Sequence, residues 1–324
     1  MTSINSKAPC QFIEHASPDQ TAACLQLVAA ANALEFSADF IENLRARNTA
    51  RSKSFAAETP FHGVDVEETT WDAASGRRAV RIYRPNEQRA DAIAVYFHGG
   101  GFVTGSLDAV DLQCRRISKS AGVTVASFAY ALAPEHPFPA AVEDAFAAVA
   151  WARERLHAPG KPAAPVIAMG DSAGGNLAAV VSQSLSRYPL HNVIGQVLIY
   201  PVMDLSGESW SYADHGVTPT LTAERMRWYA GQYLGNVSRT DPRISPLLTS
   251  NLENVAPALI ISAEVDPLLG EAEAYAASLR NNGINTEHYV FRGLYHGFWN
   301  WGAKHNASDH ACRIAVEWLK KTIS

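Results

Sequence analysis

The sequence has few cysteines, no excess of basic charge and no long apolar run. Its four cysteines are widely scattered and form no C-x-x-C pair, so they predict reduced thiols, without a disulfide framework or a metal cluster. The formal net charge of −5 offers no basic surface to nucleic acid, and no polybasic segment indicates an anionic membrane. No apolar stretch reaches the length of a membrane span. The cysteines are Cys10, Cys24, Cys114 and Cys312.

The N-terminal residues also lack the apolar segment of a secretory signal. Residues 1–15 include Lys7 but no apolar run follows it, so the cytoplasm is the expected location. Apolar residues make up 47% of the 324 residues, which is enough for a substantial core. This length suits one α/β sheet domain that carries a cap.

A short pattern near the middle of the chain predicts a nucleophile. Residues 170–174 read Gly-Asp-Ser-Ala-Gly, after the apolar run 165–169 and before a helical stretch that extends to Leu185. A strand, sharp turn and helix in this order lift the hydroxyl of Ser172 clear of the sheet, beside a helix N-terminus that favours negative charge. On its own the pattern more often marks a plain tight turn, so its surroundings carry the prediction.

Three glycines follow an earlier apolar run, in the segment His98-Gly99-Gly100-Gly101-Phe102. Glycines after a strand let the backbone approach a ligand closely and direct N–H groups at it. Acyl-transfer enzymes need such donors where the tetrahedral oxyanion forms. No Gly-Lys-Ser/Thr and no G-x-G-x-x-G frame accompanies the glycines, so a phosphate-binding loop fits the segment poorly.

A serine nucleophile needs a base, and the base needs an orienting carboxylate. Among eleven histidines, His296 stands in a loop directly after the strand pattern 287–291, and Asp266 lies in the loop after the strand pattern 258–263. Taken singly, His296 more often would be a loop or core histidine, and Asp266 a helix cap. The chain order Ser172, Asp266, His296 is that of α/β-hydrolases, and it predicts a catalytic triad.

Together these motifs resemble those of bacterial hormone-sensitive-lipase-like (family IV) esterases, which have the α/β-hydrolase fold. The resemblance also covers the segments 130–141, 200–204 and 262–268, in order from about residue 80 to the C-terminus. Asp171 within the serine motif indicates the GDSAG subgroup. The combination of motifs is highly specific to the family.

The resemblance implies a role for each motif residue. Ser172 is expected to be the nucleophile, His296 the base and Asp266 the orienting carboxylate, with no metal and no cofactor. Backbone N–H groups are expected to form the oxyanion hole, and three further residues to support the loops. The oxyanion-hole residues are Gly100, Gly101 and Ala173, and the supporting residues are His98, Gly99 and Glu264.

Two departures from the family pattern concern residues next to these motifs. Ala131 stands where the family usually has arginine. Leu269 and Gly270 stand where arginine and aspartate usually follow the catalytic-acid segment, so only Glu271 of that polar trio remains. Neither departure touches the triad. We therefore expect altered stability or substrate range, with activity retained.

The alternation of strands and helices from residue 64 to 203 predicts a largely parallel sheet with helices on both faces. The resemblance implies eight strands and a helical cap over the site. Helical spacing of Leu25, Val28, Ala29 and Leu34 supports an N-terminal cap part. The expected division is 1–55 (N-terminal part of the cap), 56–204 (core), 205–245 (cap insertion) and 246–324 (core).

Two features of this plan leave alternatives open. Aromatic residues between 205 and 245 fit helix packing and pocket lining equally well. A late strand near residues 287–291 could lie at the sheet edge and pair across a two-fold axis into a homodimer, and a monomer is an equal alternative.

The expected activity is two-step hydrolysis of a short- to medium-chain ester through an acyl-enzyme. The partner is then a small-molecule ester, and activity falls in acid because His296 must be neutral to accept a proton. An amidase, lactonase or carbamate hydrolase would use the same triad. A ligand-binding protein on the same fold is a further alternative, although such relatives typically lack the catalytic histidine. The sequence does not indicate the natural substrate.

Overall fold

The computed structural model describes residues 11–14, 22, 40–57, 61–157, 160, 163–183, 192–302 and 305–324. The helical pattern predicted around Leu25 to Leu34 lies outside the described residues, as do Cys10 and Cys24. Cys114 and Cys312 are described, and both are buried free thiols.

A mixed sheet forms the centre of the described part of the chain. Its strands are β1 (Gln11–Ile13), β2 (Val64–Ala73), β3 (Gly76–Pro85), β4 (Ile93–Phe97), β5 (Thr124–Phe128), β6 (Val166–Asp171), β7 (Val193–Ile199), β8 (Ala258–Val265) and β9 (Thr286–Tyr295). They are arranged in the order β1-β9-β8-β7-β6-β4-β5-β3-β2. Strand β3 is antiparallel to β2 and β5, and all other neighbours are parallel. The predicted mostly parallel sheet is confirmed.

Two details of the predicted sheet are wrong. The sheet of the described residues has nine strands, where eight were expected, because β1 adds in parallel to the outer side of β9. For the same reason the predicted strand 287–291 is not a free edge: β9 pairs with β8 on one side, and its residues 289–291 pair with β1 on the other. The argument for a homodimer through that strand therefore loses its premise.

Helices cover both faces of the sheet. In the described part of the chain they are α1 (Phe40–Ala57), α2 (Leu107–Ala121), α3 (Ala140–Arg155), α4 (Ala173–Gln183), α5 (Trp210–His215), α6 (Ala223–Leu234), α7 (Leu269–Asn281) and α8 (Asn306–Ile323), with two short 3₁₀ turns at Pro246–Leu248 and Phe298–Trp301. Among the described residues, no helix is both long and apolar enough to cross a membrane.

Successive residues of the central strands point into two separate cores. In β4, Ile93, Val95 and Phe97 join the core under α3, α4 and α7, while Ala94 and Tyr96 join the core under α2 and α8. All five residues are buried, which explains why this strand is apolar throughout: a parallel strand covered on both faces has no polar side. Side chains that could reach a ligand are therefore expected in the loops at the strand ends.

Candidate active site

Ser172 lies on the sharp turn between β6 and α4. Its φ of 55° is in the left-handed region, and its N–H donates to the carbonyl of Ile199 over 2.8 Å. A Cβ on Gly170 would lie 2.3 Å from the backbone of Gly174, and a Cβ on Gly174 would lie 2.0 Å from the carbonyl oxygen of Phe97. The turn therefore requires glycine on both sides of the serine.

The structure brings Ser172, His296 and Asp266 into one hydrogen-bonded chain. His296 Nε2 lies 3.0 Å from Ser172 Oγ, and His296 Nδ1 lies 2.7 Å from Asp266 Oδ2. With the proton on Nδ1 facing the carboxylate, Nε2 accepts from the serine hydroxyl, which is the tautomer a general base needs. The carboxyl group is buried, and its Oδ1 accepts the N–H of Leu268 over 2.9 Å.

The glycine loop lies beside the serine and lines the same cavity. Gly100 and Gly101 both have positive φ, 125° and 61°, and both line the cavity together with Ser172 and His296. The carbonyl of Gly100 accepts the N–H of Thr104 over 2.9 Å, which closes the turn. Ala173, the third residue predicted for the oxyanion hole, is buried at the first position of α4.

The residues predicted to support the loops lie outside the triad contacts. His98 is buried, stacks on Tyr130 with the ring centroids 4.4 Å apart, and bonds through Nδ1 to the carbonyl of Gly99 over 2.8 Å. Burial lowers the pKa of His98 to about 4, so the ring is neutral near pH 7. Glu264 accepts the N–H of Gly293 over 2.8 Å, and this contact connects β8 with the strand that leads to His296.

Asp171 holds two loops of the site, a role that the sequence analysis missed. Its Oδ1 accepts the hydroxyl of Tyr96 over 3.1 Å and the N–H of Gly99 over 3.0 Å, and its Oδ2 accepts the side-chain amide of Asn300 over 3.1 Å. Burial raises the pKa of this carboxyl, and the three hydrogen bonds act in the opposite direction. An acidic residue at the end of a buried strand must find hydrogen-bond partners, so the position of Asp171 beside Ser172 was a signal for an anchor, although it does not indicate which partners.

The loop that carries Asp266 is held from two sides despite its departures from the family pattern. Glu271 is buried and accepts the N–H of Met203 over 2.8 Å, and burial raises the pKa of its carboxyl well above the usual range. Gly270 donates its N–H to Ser211 Oγ over 2.9 Å. Ser211 lies outside this loop, in α5, and the sequence pattern does not indicate its contact with Gly270.

At the other departure, Ala131 donates its N–H to Asp144 Oδ2 over 2.8 Å. Asp144 is fully buried and also accepts both the N–H and the hydroxyl of Ser75. Arg78 Nε lies 3.4 Å from the same carboxylate. An arginine from β3 therefore supplies positive charge beside Asp144, although position 131 carries none.

A cavity of about 190 Å³ opens over the serine, and two helical segments outside the sheet contribute to its wall. Met226 and Tyr229 line it, whereas Tyr233 stacks on Phe102 with the ring centroids 3.9 Å apart. The aromatic and apolar residues of the insertion thus divide between lining and packing. The residues from α1 and the insertion that line the cavity are Leu44, Asn48, Thr220, Leu221, Arg225, Met226 and Tyr229.

The chain is similar to a known protein family and to named ester hydrolases. A family model described as the alpha/beta hydrolase fold matches residues 94–300. The chain is 42% identical over 249 residues to the carboxylic ester hydrolase LipN of Mycobacterium tuberculosis, covering 73% of this chain and 65% of LipN, just under two thirds. It is 37% identical over 270 residues to the ethyl acetate hydrolase of Pseudomonas putida, covering 82% and 84%.

Solved structures show the same similarity over nearly the whole chain. The hyperthermophilic esterase from the archaeon Pyrobaculum calidifontis superposes with a TM-score of 0.86 at 34% identity, covering 95% of this chain and 99% of that one. A thermostable esterase from Pseudomonas putida superposes with a TM-score of 0.85 at 28% identity, covering 96% and 99%.

Proposed function

The chain belongs to the alpha/beta hydrolase family whose model matches residues 94–300, and from that premise we propose that it is a serine carboxylesterase. The observation that carries the proposal is the hydrogen-bonded chain Ser172–His296–Asp266, at 3.0 Å and 2.7 Å. This arrangement supplies a nucleophile, a base and an orienting carboxylate, which are what acyl transfer requires. The names of the relatives, carboxylic ester hydrolase and ethyl acetate hydrolase, support an ester as the substrate.

In the proposed mechanism His296 takes the proton of Ser172 as the hydroxyl oxygen attacks the ester carbonyl. The backbone N–H groups of Gly100, Gly101 and Ala173 stabilise the oxyanion of the tetrahedral intermediate, and loss of one such donor typically costs about 3–4 kcal/mol. His296 then protonates the leaving alcohol, and the acyl group stays on the serine. Water, deprotonated by the same histidine, releases the acid. Asp266 holds the imidazole and stabilises its protonated form.

The cavity supports a preference for short- to medium-chain acyl esters. Its volume of about 190 Å³ is small beside typical ligand pockets of roughly 300–1,000 Å³. We propose that α1 and the insertion 205–245 form the two parts of a cap over this cavity, since residues from both line it. Assignment to the GDSAG subgroup rests on residues 170–174. The cytoplasmic location stays a prediction. A homodimer and a monomer stay alternatives, and the position of β9 in the sheet no longer argues for the dimer.

The direct test combines a labelling experiment with a substrate series. A fluorophosphonate probe should modify Ser172, and Ser172→Ala should abolish both labelling and turnover of p-nitrophenyl esters while the fold is retained. The series should peak at short or medium acyl chains. Turnover that persists in Ser172→Ala would disprove the serine mechanism. Preferred turnover of matched amides, lactones or carbamates would replace ester with another acyl substrate.

A further inference from the structure

The insertion between β7 and β8 makes a direct polar contact with the loop that carries Asp266. Ser211, in the first turn of α5, is fully buried. Its Oγ donates to the carbonyl of Pro267 over 2.6 Å and accepts the N–H of Gly270 over 2.9 Å. A third contact, 2.9 Å from Ser209 Oγ, completes the one donor and two acceptor positions of the hydroxyl.

This contact leaves little room for a side chain at position 270. A Cβ on Gly270 would lie 2.8 Å from Ser209 Oγ and 2.8 Å from Trp210 Nε1. Such distances are shorter than van der Waals contact, so a side chain at residue 270 would displace the side chains of Ser209 and Trp210 at the start of α5. The start of α7 and the start of α5 are therefore fitted to each other in this chain.

The bridged residues are the immediate neighbours of Asp266. The backbone of the loop folds back on the carboxylate: the N–H of Leu268 donates to Asp266 Oδ1 over 2.9 Å, and the N–H of Leu269 donates to the carbonyl of Asp266 over 3.1 Å. Ser211 fixes the two ends of this turn, at Pro267 and at Gly270. The position of the second carboxylate oxygen, 2.7 Å from His296 Nδ1, depends on that turn.

We propose that Ser211 is a positioning residue for the catalytic carboxylate: its hydroxyl holds the turn Pro267–Gly270 and so sets the orientation of Asp266 against His296. The inference rests on the proposed esterase function. It makes the insertion more than a cover for the cavity, because one of its residues supports the triad from outside the sheet. It also accounts for an ordered turn where the sequence carries Leu269 and Gly270.

The test uses Ser211→Ala and a matched control, Ser118→Ala. Ser118 is equally buried, and its hydroxyl contacts the carbonyls of Tyr83 and Val123, away from the site. Ser211→Ala should lower kcat for p-nitrophenyl butyrate about ten-fold with KM little changed, because a small displacement of a catalytic group acts mainly on the chemical step. Both variants should lose a similar amount of thermal stability, because each loses one buried hydroxyl. Ser118→Ala should nevertheless leave kcat within about two-fold of the parent enzyme.

A spectroscopic signal separates positioning from a loss of structure. The proton between His296 Nδ1 and Asp266 should give a downfield ¹H resonance that shifts or broadens in Ser211→Ala and stays in place in Ser118→Ala. If Ser211→Ala does not fold, Gly270→Ala is the second test, since alanine favours the helix but displaces Ser209 Oγ, the partner of the Ser211 hydroxyl. It should also lower kcat with KM retained.

Three outcomes overturn the inference: an unchanged kcat in folded Ser211→Ala, an equal loss in Ser118→Ala, or, where Ser211→Ala does not fold, an unchanged kcat in Gly270→Ala. They are distinct from failure of the proposed function, which appears as turnover that persists in Ser172→Ala.

Discussion

The serine turn and helix α6 of the insertion flank the same cavity but are held by different kinds of contact. At the serine turn, Cβ atoms on Gly170 and Gly174 would lie 2.0–2.3 Å from backbone atoms. In the insertion, a Cβ on Gly231 of α6 would meet nothing within 4 Å. Backbone atoms cannot move aside by changing rotamer, whereas side chains can. The serine turn therefore excludes a side chain at Gly170 and Gly174, whereas α6 accommodates one at Gly231.

The polar contacts of the two regions differ in the same way. Asp171, next to the serine, is buried and joins the segment 96–99 to the loop that contains Asn300. In the insertion, Arg227 and Glu208 form an ion pair of 2.6 Å whose side chains are 61% and 42% exposed. A buried anchor is costly to remove because its partners lose their hydrogen bonds away from water. An exposed pair is replaced by water at little cost.

The largest effect is expected from an added methyl group at the serine turn. In Gly174→Ala the new Cβ would lie 2.0 Å from the carbonyl oxygen of Phe97, so the strand and the helix must separate. We expect a loss of at least about 3 kcal/mol of unfolding free energy and loss of turnover, measured by chemical denaturation and ester hydrolysis.

The matched control is Gly231→Ala in α6, which should gain up to about 1 kcal/mol from helix propensity. Equal stability losses in the two variants would remove the distinction between the regions.

An intermediate effect is expected at Asp171. Asp171→Ala leaves the Tyr96 hydroxyl, the Gly99 N–H and the Asn300 amide without their acceptor, at roughly 1–3 kcal/mol for each buried group. Because the glycine loop and the loop that follows His296 share this anchor, kcat/KM should fall about 100-fold. Denaturation and steady-state kinetics measure the two effects.

Asp171→Asn should retain most of the unfolding free energy and most of the kcat/KM that Asp171→Ala loses. Its carbonyl oxygen can replace Asp171 Oδ1, and the buried Oδ1 of Asn300, which has no partner among the described residues, can accept the new amide after a flip of the Asn300 side chain. An asparagine variant as impaired as the alanine variant would show that the negative charge itself is needed.

The smallest effect is expected from Arg227→Ala. The Arg227–Glu208 pair is bidentate, but both side chains are exposed, and pairs at the surface contribute little in water. The denaturation midpoint and kcat/KM should both stay within experimental error of the parent enzyme. A clear loss in either quantity would show that the insertion depends on its surface charges as well as on apolar packing and Ser211.

The parts of the structure that the sequence predicted well are those with a repeating or local pattern. The buried strand before the serine, the glycine loop and the loops after β8 and β9 each follow from an apolar run that ends in a polar or glycine-rich segment. Strand β1 was missed because three residues, Gln11–Ile13, are too few to show a period. With β1 unrecognised, β9 was placed at the edge of the sheet.

Contacts between distant side chains were beyond the reach of the sequence. Neither Ser211 nor Asp171 carries a local signal that identifies its partners. Ser211 and Pro267 are 56 residues apart in the chain, and Asp171 and Asn300 are 129 residues apart. Arg78 likewise approaches Asp144 from a different element, a compensation for Ala131 that no spacing rule predicts.

What the amino-acid sequence alone determined is the order of elements and the steric need for glycine beside Ser172, because hydrophobic periodicity and backbone conformation are local properties. Tertiary structure decided which distant groups complete the site: the buried acceptor that joins its loops, and the hydroxyl that holds the turn beside Asp266. Those choices arise from the packing of whole elements, in which a buried polar group must find its partner wherever the fold places one.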